Sequence, residues 1–576
     1  MRLWHLRVER FRGIQHLDWQ LSGRVTCLIG AGDQCKTTIL DAIGALGTRR
    51  TTSFTEQDFF GLNTADGPIE VEAVLGDLPK ELLADNRLGM DLCGVDGDGR
   101  LHPEPGGQQP AIRIRLDVDG SFEPVWRIFS SRNPDGRVIS ARDRSALNIT
   151  RVGDNPDRQF HLGRQSALLN LVGDPADIGR IVEAAYTEAR KAVDETDMSS
   201  LAPAVEAATE LGVRVGAGPA ADNLSVGLEM GRTSGAGLSL QGEGVPMRSA
   251  GLGTRRLLAV GLELGSATAG ALVCLDEVEH GLEPHRIAHL VRTLRTLVEP
   301  EAPGDPGGHV LFTTHSPIVL QELGTEGLMV VRTDPDGSAV RDVPESMVGV
   351  VRSSPSALLS PRVIVAEGKT EVGVLRAFDV LWRSRHEDRS LAHCGAVVVE
   401  GGGASASARA RALGELGYPT LLLVDSDVTL QPSVEEHEAV GVEVAMWEGA
   451  LCTEERLLRD LDWASLVEAF DAVVHQGHEA SAVMAAVAAD GELEAEATAR
   501  GLQTARLDPS LDSFRAAGLT ETALRGAFGR AAKRKGWFKQ IHTGQDLGSI
   551  AANAPDIAMT PFGKTMATVE AWCHGG

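Results

Sequence analysis

The sequence predicts an α/β protein in which two parallel-sheet units follow one another along the chain. Three observations point to it. A short apolar run at 24–29 ends in a glycine-rich loop that opens a helix over 37–46. A second apolar run, 271–275, ends in Asp276 and Glu277. Two more, 363–366 and 421–424, end in Glu367 and Asp425. Parallel strands buried on both faces read as continuous apolar runs and deliver polar groups at their C-terminal edge, which is the pattern here.

In chain order, residues 3–8 alternate as a half-buried strand should, and Phe11-Arg12-Gly13-Ile14 turns the chain into a second strand. Residues 68–130 hold short strands between Gly, Pro and Asp turns, with 111–116 the clearest alternation. Over 160–214 the spacing becomes helical: Leu168, Leu169, Leu171 and Val172, then, after Gly173-Asp174-Pro175, Ile178, Ile181, Val182 and Ala185. A glycine-rich stretch at 214–254 leads back to strand–helix alternation up to 345. Serines and prolines over 346–361 read as a linker. A second α/β unit starts at Arg362 and becomes mostly helical after 452. The expected domains are therefore 1–159 and 215–345 as one split unit, 160–214 as a helical insert, and 362–576 as the second unit.

At 576 residues, 43% hydrophobic and 23% charged, the composition is that of a globular chain of two to four domains. The formal charge of −25 excludes coating of nucleic acid by the whole surface and leaves room only for a local basic stripe. Arg530, Lys533, Arg534, Lys535 and Lys539, interleaved with Trp537 and Phe538, form one, read either as a nucleic-acid contact or as a solvated helix face. Seven scattered cysteines without a C-x-x-C pair fit a reducing cytoplasm and exclude a zinc ribbon. No apolar run reaches the ~18 residues of a membrane span, so the expected location is the cytoplasm.

Gly30-Ala31-Gly32-Asp33-Gln34-Cys35-Lys36-Thr37-Thr38 follows a strand and opens a helix, the context of a phosphate-binding loop. Backbone amides would hold the phosphates of ATP, Lys36 would reach the β and γ groups, and Thr37 would hold Mg²⁺. Cys35 stands where a second glycine is usual, and a positive φ there would cost about 1 kcal/mol. Asp276 suits the second shell of Mg²⁺, Glu277 suits a base orienting water, and His315, after the apolar run 310–314, suits a γ-phosphate contact. Together with Phe11-Arg12-Gly13-Ile14, this order of elements resembles ABC-type ATPases of chromosome-maintenance and recombination-repair proteins. The resemblance implies a homodimer or higher homo-oligomer in which the segment of Gly251, Gly253 and Thr254 completes the partner's γ-phosphate site. That segment departs from the family's serine-bearing sequence. The helices at 160–214 are then a candidate dimerisation insert, or alternatively a cover on the ATPase core.

In the second unit, Glu367 and Glu371 lie four residues apart at a strand-to-helix junction, and Asp425 and Asp427 alternate at a strand end. Carboxylates so placed hold hard divalent cations, Mg²⁺ or Mn²⁺, against phosphates. Glu367-Gly368 and Asp425-Ser426-Asp427 resemble the motifs of the Toprim fold. An ABC-type ATPase followed by Toprim is similar to the OLD (overcoming lysogenisation defect) family of nucleases, which includes the nuclease of the Gabija antiphage system. The resemblance implies a further metal-binding glutamate, for which Glu454 matches better than Glu455, and a catalytic lysine, Lys535 before Lys539. It also implies DNA as substrate, inhibition by nucleotide, and a UvrD-like helicase partner. The two tyrosines, Tyr186 and Tyr418, sit in no strand-passage context, which disfavours a topoisomerase, and a zinc-bearing primase lacks its cysteines. The expected function is a metal-dependent DNA endonuclease under ATP control. Its alternatives are an RNase of the same chemistry aimed at tRNA and an ATP-driven platform with an inactive Toprim domain.

Overall fold

The computed structural model describes residues 1–47, 53–152, 156–160, 168, 171, 198–218, 223–229, 237–266, 270–299, 307–334 and 337–575. The chain divides into two compact units, Met1–Val343 and Pro344–Gly576. Most of the helical insert expected over 160–214, and with it the dimerisation role, lies outside the described residues; its last helix, Ala202–Arg214, is described.

The first unit is built on two large sheets. One is antiparallel and contains Arg2–Phe11, Ile14–Gln20, Ile69–Gly76, Gln109–Val118 and Pro124–Phe129. Its alternation is that of a one-sided sheet: along Ile14–Gln20, Ile14, Leu17 and Trp19 are buried while Gln15, His16, Asp18 and Gln20 are exposed. The other sheet runs in the order Ile149–Val152, Leu272–Leu275, His309–Thr313, Val25–Ile29, Leu328–Asp334, Gly337–Asp342. All its pairings are parallel except the last. Helix Lys36–Leu46 packs against both sheets and buries Ile39, Leu40, Ile43 and Leu46 completely. Fully burying aliphatic side chains of this kind contributes roughly 1.5–3 kcal/mol each. The helix therefore cannot shift without uncovering core, and that fixes the loop at its N-terminus.

The second unit is organised by a four-stranded sheet in the order Ala396–Glu400, Arg362–Ala366, Thr420–Val424, Val442–Met446, parallel throughout. Ala366 lies opposite both Glu400 and Leu423, so the strand ends bearing Glu367, Glu400 and Asp425 come out along one edge. Helix Lys369–Arg385 lies close against Ile541–Asn553 because glycines stand at the contact: a Cβ on Gly544 would sit 2.8 Å from Thr370 O, and one on Gly548 2.7 Å from Val374 Cα. The region after 452 is helical, as expected, from Thr453–Asp460 to Pro561–His574. The stretch expected as a linker at 346–361 differs: it forms helix Val348–Ser353 and the short helix Pro355–Leu359. Its serines and prolines suggested extended chain, but Val350, Val351, Ala357 and Leu358 are buried, and that burial decides.

Candidate functional site

In the first unit a cavity of about 340 Å³ opens at the C-terminal end of strand Val25–Ile29. Gly32, Asp33, Gln34, Cys35, Lys36, Thr37 and Thr38 line it, with Asp276, Glu277, Thr313 and His315. The Lys36 ammonium donates to Gly30 O at 3.1 Å and to Ala31 O at 2.6 Å, and burial lowers its pKa. Thr37 Oγ1 donates to Asp276 Oδ1 at 3.2 Å, and the Thr313 hydroxyl donates to the same oxygen. The loop is fixed by a hydrogen bond from Thr333 N to Gln34 Oε1 of 2.7 Å. Cys35 has φ 58, the left-handed conformation that its place in the loop demands, and its Sγ fills the space beside Gly13. Glu277 also has a positive φ, 43, and its N–H donates to Thr313 Oγ1 at 2.7 Å. His315 is held at its backbone, where its N–H donates to Glu279 Oε1 at 2.6 Å. A loop of amides, a lysine, and a threonine bonded to an aspartate are donors suited to a nucleotide triphosphate with its Mg²⁺. Gly251 and Gly253 do not line this cavity.

In the second unit a cavity of about 250 Å³ sits at the sheet's C-terminal edge, lined by Glu367, Gly368, Lys369, Thr370, Glu371, Glu400, Gly403, Asp425, Glu454 and Lys539. Glu367 Oε2 accepts the Asp425 N–H at 2.9 Å, so one strand end anchors the next. Glu371 is buried with both oxygens engaged: Oε2 accepts the Gly368 N–H at 2.8 Å, capping helix Lys369–Arg385, and Oε1 accepts the Thr453 hydroxyl. Burial raises its pKa. Glu454, 2% exposed, accepts from Thr370 Oγ1 at 3.4 Å, whereas Glu455 turns back to cap its own helix at Cys452 N, 3.3 Å. Asp425 is pushed up to about 8 by burial first, then by Asp427 and Glu367 beside it.

Some expected side chains fall elsewhere. Asp427 lies outside the cavity lining but beside Asp425, with its carboxylate hydrogen-bonded to that of Asp425 and paired with Lys533 Nζ at 2.6 Å. Burial works against its charge, but the hydrogen bonds to Lys533 and Asp425 together with the charges of Lys533 and Lys539 lower its pKa. Lys535 is exposed at the end of helix Glu521–Lys535 and lines no part of the cavity, where Lys539 stands instead. Sequence reasoning did not assign Glu400 or Lys369 to the site, and it read Lys533 only as part of the basic stripe. The signal for Glu400 was present, as a carboxylate ending the apolar run 396–399.

The donor set is all carboxylate oxygen, as a hard divalent cation prefers, and a cation would offset the crowding that raises Asp425. Among the described residues, no three His, Cys, Asp or Glu side chains already form a metal-holding group. Each Glu371 oxygen already accepts one hydrogen bond, which fixes the carboxylate and leaves one lone pair per oxygen for a cation.

Residues 118–321 match a family model described as "AAA domain, putative AbiEii toxin, Type IV TA system". Residues 358–427 match one described as "Overcoming lysogenization defect protein-like, TOPRIM domain". No curated protein matches the sequence. Among solved structures, the Smc head bound to the C-winged helix domain of ScpA is 13% identical with a TM-score of 0.35, covering 59% of this chain and 97% of that one. The SMC head domain from Thermotoga maritima is 15% identical with a TM-score of 0.30, covering 60% of this chain and 100% of that one. Among the described residues no helix is long and apolar enough to cross a membrane.

Proposed function

From an ATPase domain followed by an OLD-like Toprim domain, the domain pair of an OLD-family ATPase–Toprim nuclease, we propose that this chain is a metal-dependent DNA endonuclease whose cutting is controlled by ATP. The observation that carries the reading is the convergence of Glu367, Asp425, Glu454 and Lys539 on one cavity at the edge of a parallel sheet. Bound there, Mg²⁺ or Mn²⁺ would supply Lewis acidity to the scissile phosphate and to the attacking water. Glu367, Asp425 and Glu454 would hold the metal. Lys539 would meet the charge that grows on the phosphate oxygens, and Lys533 would keep Asp427 ionised beside Asp425. Glu367 keeps the Asp425 backbone in place through their hydrogen bond, so its loss would displace a second ligand as well.

In the first unit Lys36 and Thr37 would bind the triphosphate, Asp276 would steady the magnesium, and Glu277 with His315 would face the γ-phosphate. The biological setting we propose is antiphage defence, checked by phage plating on cells expressing wild type or Asp425→Ala.

Plasmid cleavage by the purified chain in Mg²⁺ or Mn²⁺, at zero and millimolar ATP, tests the central reading. Asp425→Ala and Lys539→Ala should each lower cleavage by about a hundredfold or more, while Lys36→Ala should change only the response to ATP. DNA left intact by wild type under every condition, with tRNA cut instead, would replace DNA by RNA as the substrate. Cutting undiminished in Asp425→Ala would remove the Toprim site from the reaction.

A further inference from the structure

We propose that Arg151 is a positioning residue of the nucleotide site, holding the Asp276 carboxylate in competition with magnesium and dividing that hold with Asp41. The proposal rests on the reading of the Lys36 loop as a Mg²⁺–ATP site. Arg151 lies on strand Ile149–Val152, which runs parallel beside the strand that delivers Asp276. Each nitrogen of its guanidinium makes a hydrogen bond: Nη2 donates to Asp276 Oδ2 at 3.1 Å, Nε to Asp41 Oδ1 at 3.1 Å, and Nη1 to Val152 O at 3.0 Å. The two oxygens of Asp276 thus face different ways. Oδ1 takes the hydroxyls of Thr37 and Thr313, toward the phosphate loop, while Oδ2 is held by the arginine.

The site is shielded. Side-chain exposure is 8% for Asp276, 19% for Arg151 and 27% for Asp41, so these charges act on one another with far less screening than a surface pair. A fixed positive charge on the carboxylate that steadies the cation must weaken the cation's hold. The same charge keeps Asp276 from being left buried and unpaired when no metal is bound. Asp41 sets the balance: its other oxygen, Oδ2, accepts from Arg12 Nη1 at 2.6 Å, and Arg12 Nε donates to Asp58 at 3.0 Å. When the cation arrives, Arg151 has a second carboxylate already in contact to take up its charge. A purely structural ion pair would affect folding and leave the magnesium requirement where it is.

The test is the magnesium dependence of binding of a fluorescent ATP analogue, methylanthraniloyl-ATP, by the full chain, with melting temperature in EDTA recorded alongside. Arg151→Met should lower the magnesium midpoint by about three- to tenfold and also lower the metal-free melting temperature. Arg151→Lys, which keeps the charge but loses the three-way fork, should give a midpoint between wild type and Arg151→Met. Asp41→Asn leaves the arginine to Asp276 alone and should raise the midpoint by about three- to tenfold. If Arg151→Met does not fold, the Asp41→Asn shift decides. Midpoints that stay within about twofold of wild type in both variants, or move in the same direction, overturn the proposal whatever happens to the melting temperature. If wild type binds no nucleotide at any magnesium concentration, the reading of the loop falls and this proposal with it.

Discussion

At the scale of single residues, the phosphate loop shows how a departure from the usual pattern is accommodated. Cys35 takes φ 58 at a position where glycine would be free of cost, and its Sγ lies where a Cβ on Gly13 would approach to 2.7 Å. The glycine of the Phe-Arg-Gly-Ile turn thus makes room for a side chain that the loop was not obliged to carry. Gly13→Ala should destabilise the first unit by about 1–3 kcal/mol through overpacking. Cys35→Gly should relieve about 1 kcal/mol of backbone strain, offset by lost packing. In the double variant the penalty of Gly13→Ala should nearly vanish, and a double-mutant cycle from denaturant titrations measures that coupling. Equal penalties in both backgrounds would show that the two residues do not share the space. The strain was legible in the sequence, because loop and helix demand the conformation whatever residue sits there. The part Gly13 plays was not, since nothing in the spacing of residues 13 and 35 announces that they touch.

At the scale of elements, His309 opens strand His309–Thr313 and ties the two sheets of the first unit together. Its Nδ1 accepts the Leu3 N–H at 3.0 Å, and its Nε2 faces Thr26 Oγ1 at 3.5 Å. Complete burial first, then Arg24 and Arg2 nearby, lowers its pKa to about 3. A folded-state pKa below the unfolded value of about 6.5 means that the unfolded chain binds the proton first. The stabilising effect is therefore intact above about pH 6.5 and is lost progressively as pH falls toward 3, with about 2 kcal/mol gone by pH 5. His309→Asn keeps an acceptor for Leu3 and carries no titrating group. Its melting temperature should fall less between pH 7.5 and pH 5 than that of wild type, and an equal fall would move the acid sensitivity elsewhere. Elements also decide what could be read in advance. Apolar runs ending in carboxylates gave away the strand ends because burial and delivery to the edge are one pattern. The lysines did not yield to the same reasoning. Helix Glu521–Lys535 ends in three consecutive cations, so only the phase set by buried Ala531 and Ala532 turns Lys533, and not Lys535, toward Asp427. The left-handed Gly536, φ 69, then ends the helix ahead of Lys539.

At the scale of the whole molecule, the charge of −25 means that a polyanionic substrate must be drawn by local cations against the general field, and binding should weaken steeply with salt. Self-association has its own candidate surface. Gly251 is exposed with nothing within 4 Å of where its Cβ would be, Leu252 is 41% exposed, and Gly253 packs so closely that a Cβ would sit 2.6 Å from Gly281 O. A segment of fixed shape with an open glycine and an exposed leucine suits the trans contact that we propose between two ATP-bound copies. Glu277→Gln should slow hydrolysis and accumulate this dimer, so light scattering after gel filtration with Mg²⁺–ATP should show a mass doubled over the nucleotide-free protein. Lys36→Ala should abolish the increase. A mass unchanged by ATP in Glu277→Gln would remove Gly251 and Gly253 from the nucleotide chemistry.

The cavity in the second unit is walled by residues from Glu367 to Lys539. A ribosome makes those residues in order, and the acidic wall is translated long before the lysine that faces it. A polypeptide released early, or clipped between Glu454 and Lys533, carries the carboxylates and Lys369 without Lys533 or Lys539. Under the proposed nuclease function, the late arrival of Lys533 and Lys539 would then act as a safety catch on an acidic wall made earlier.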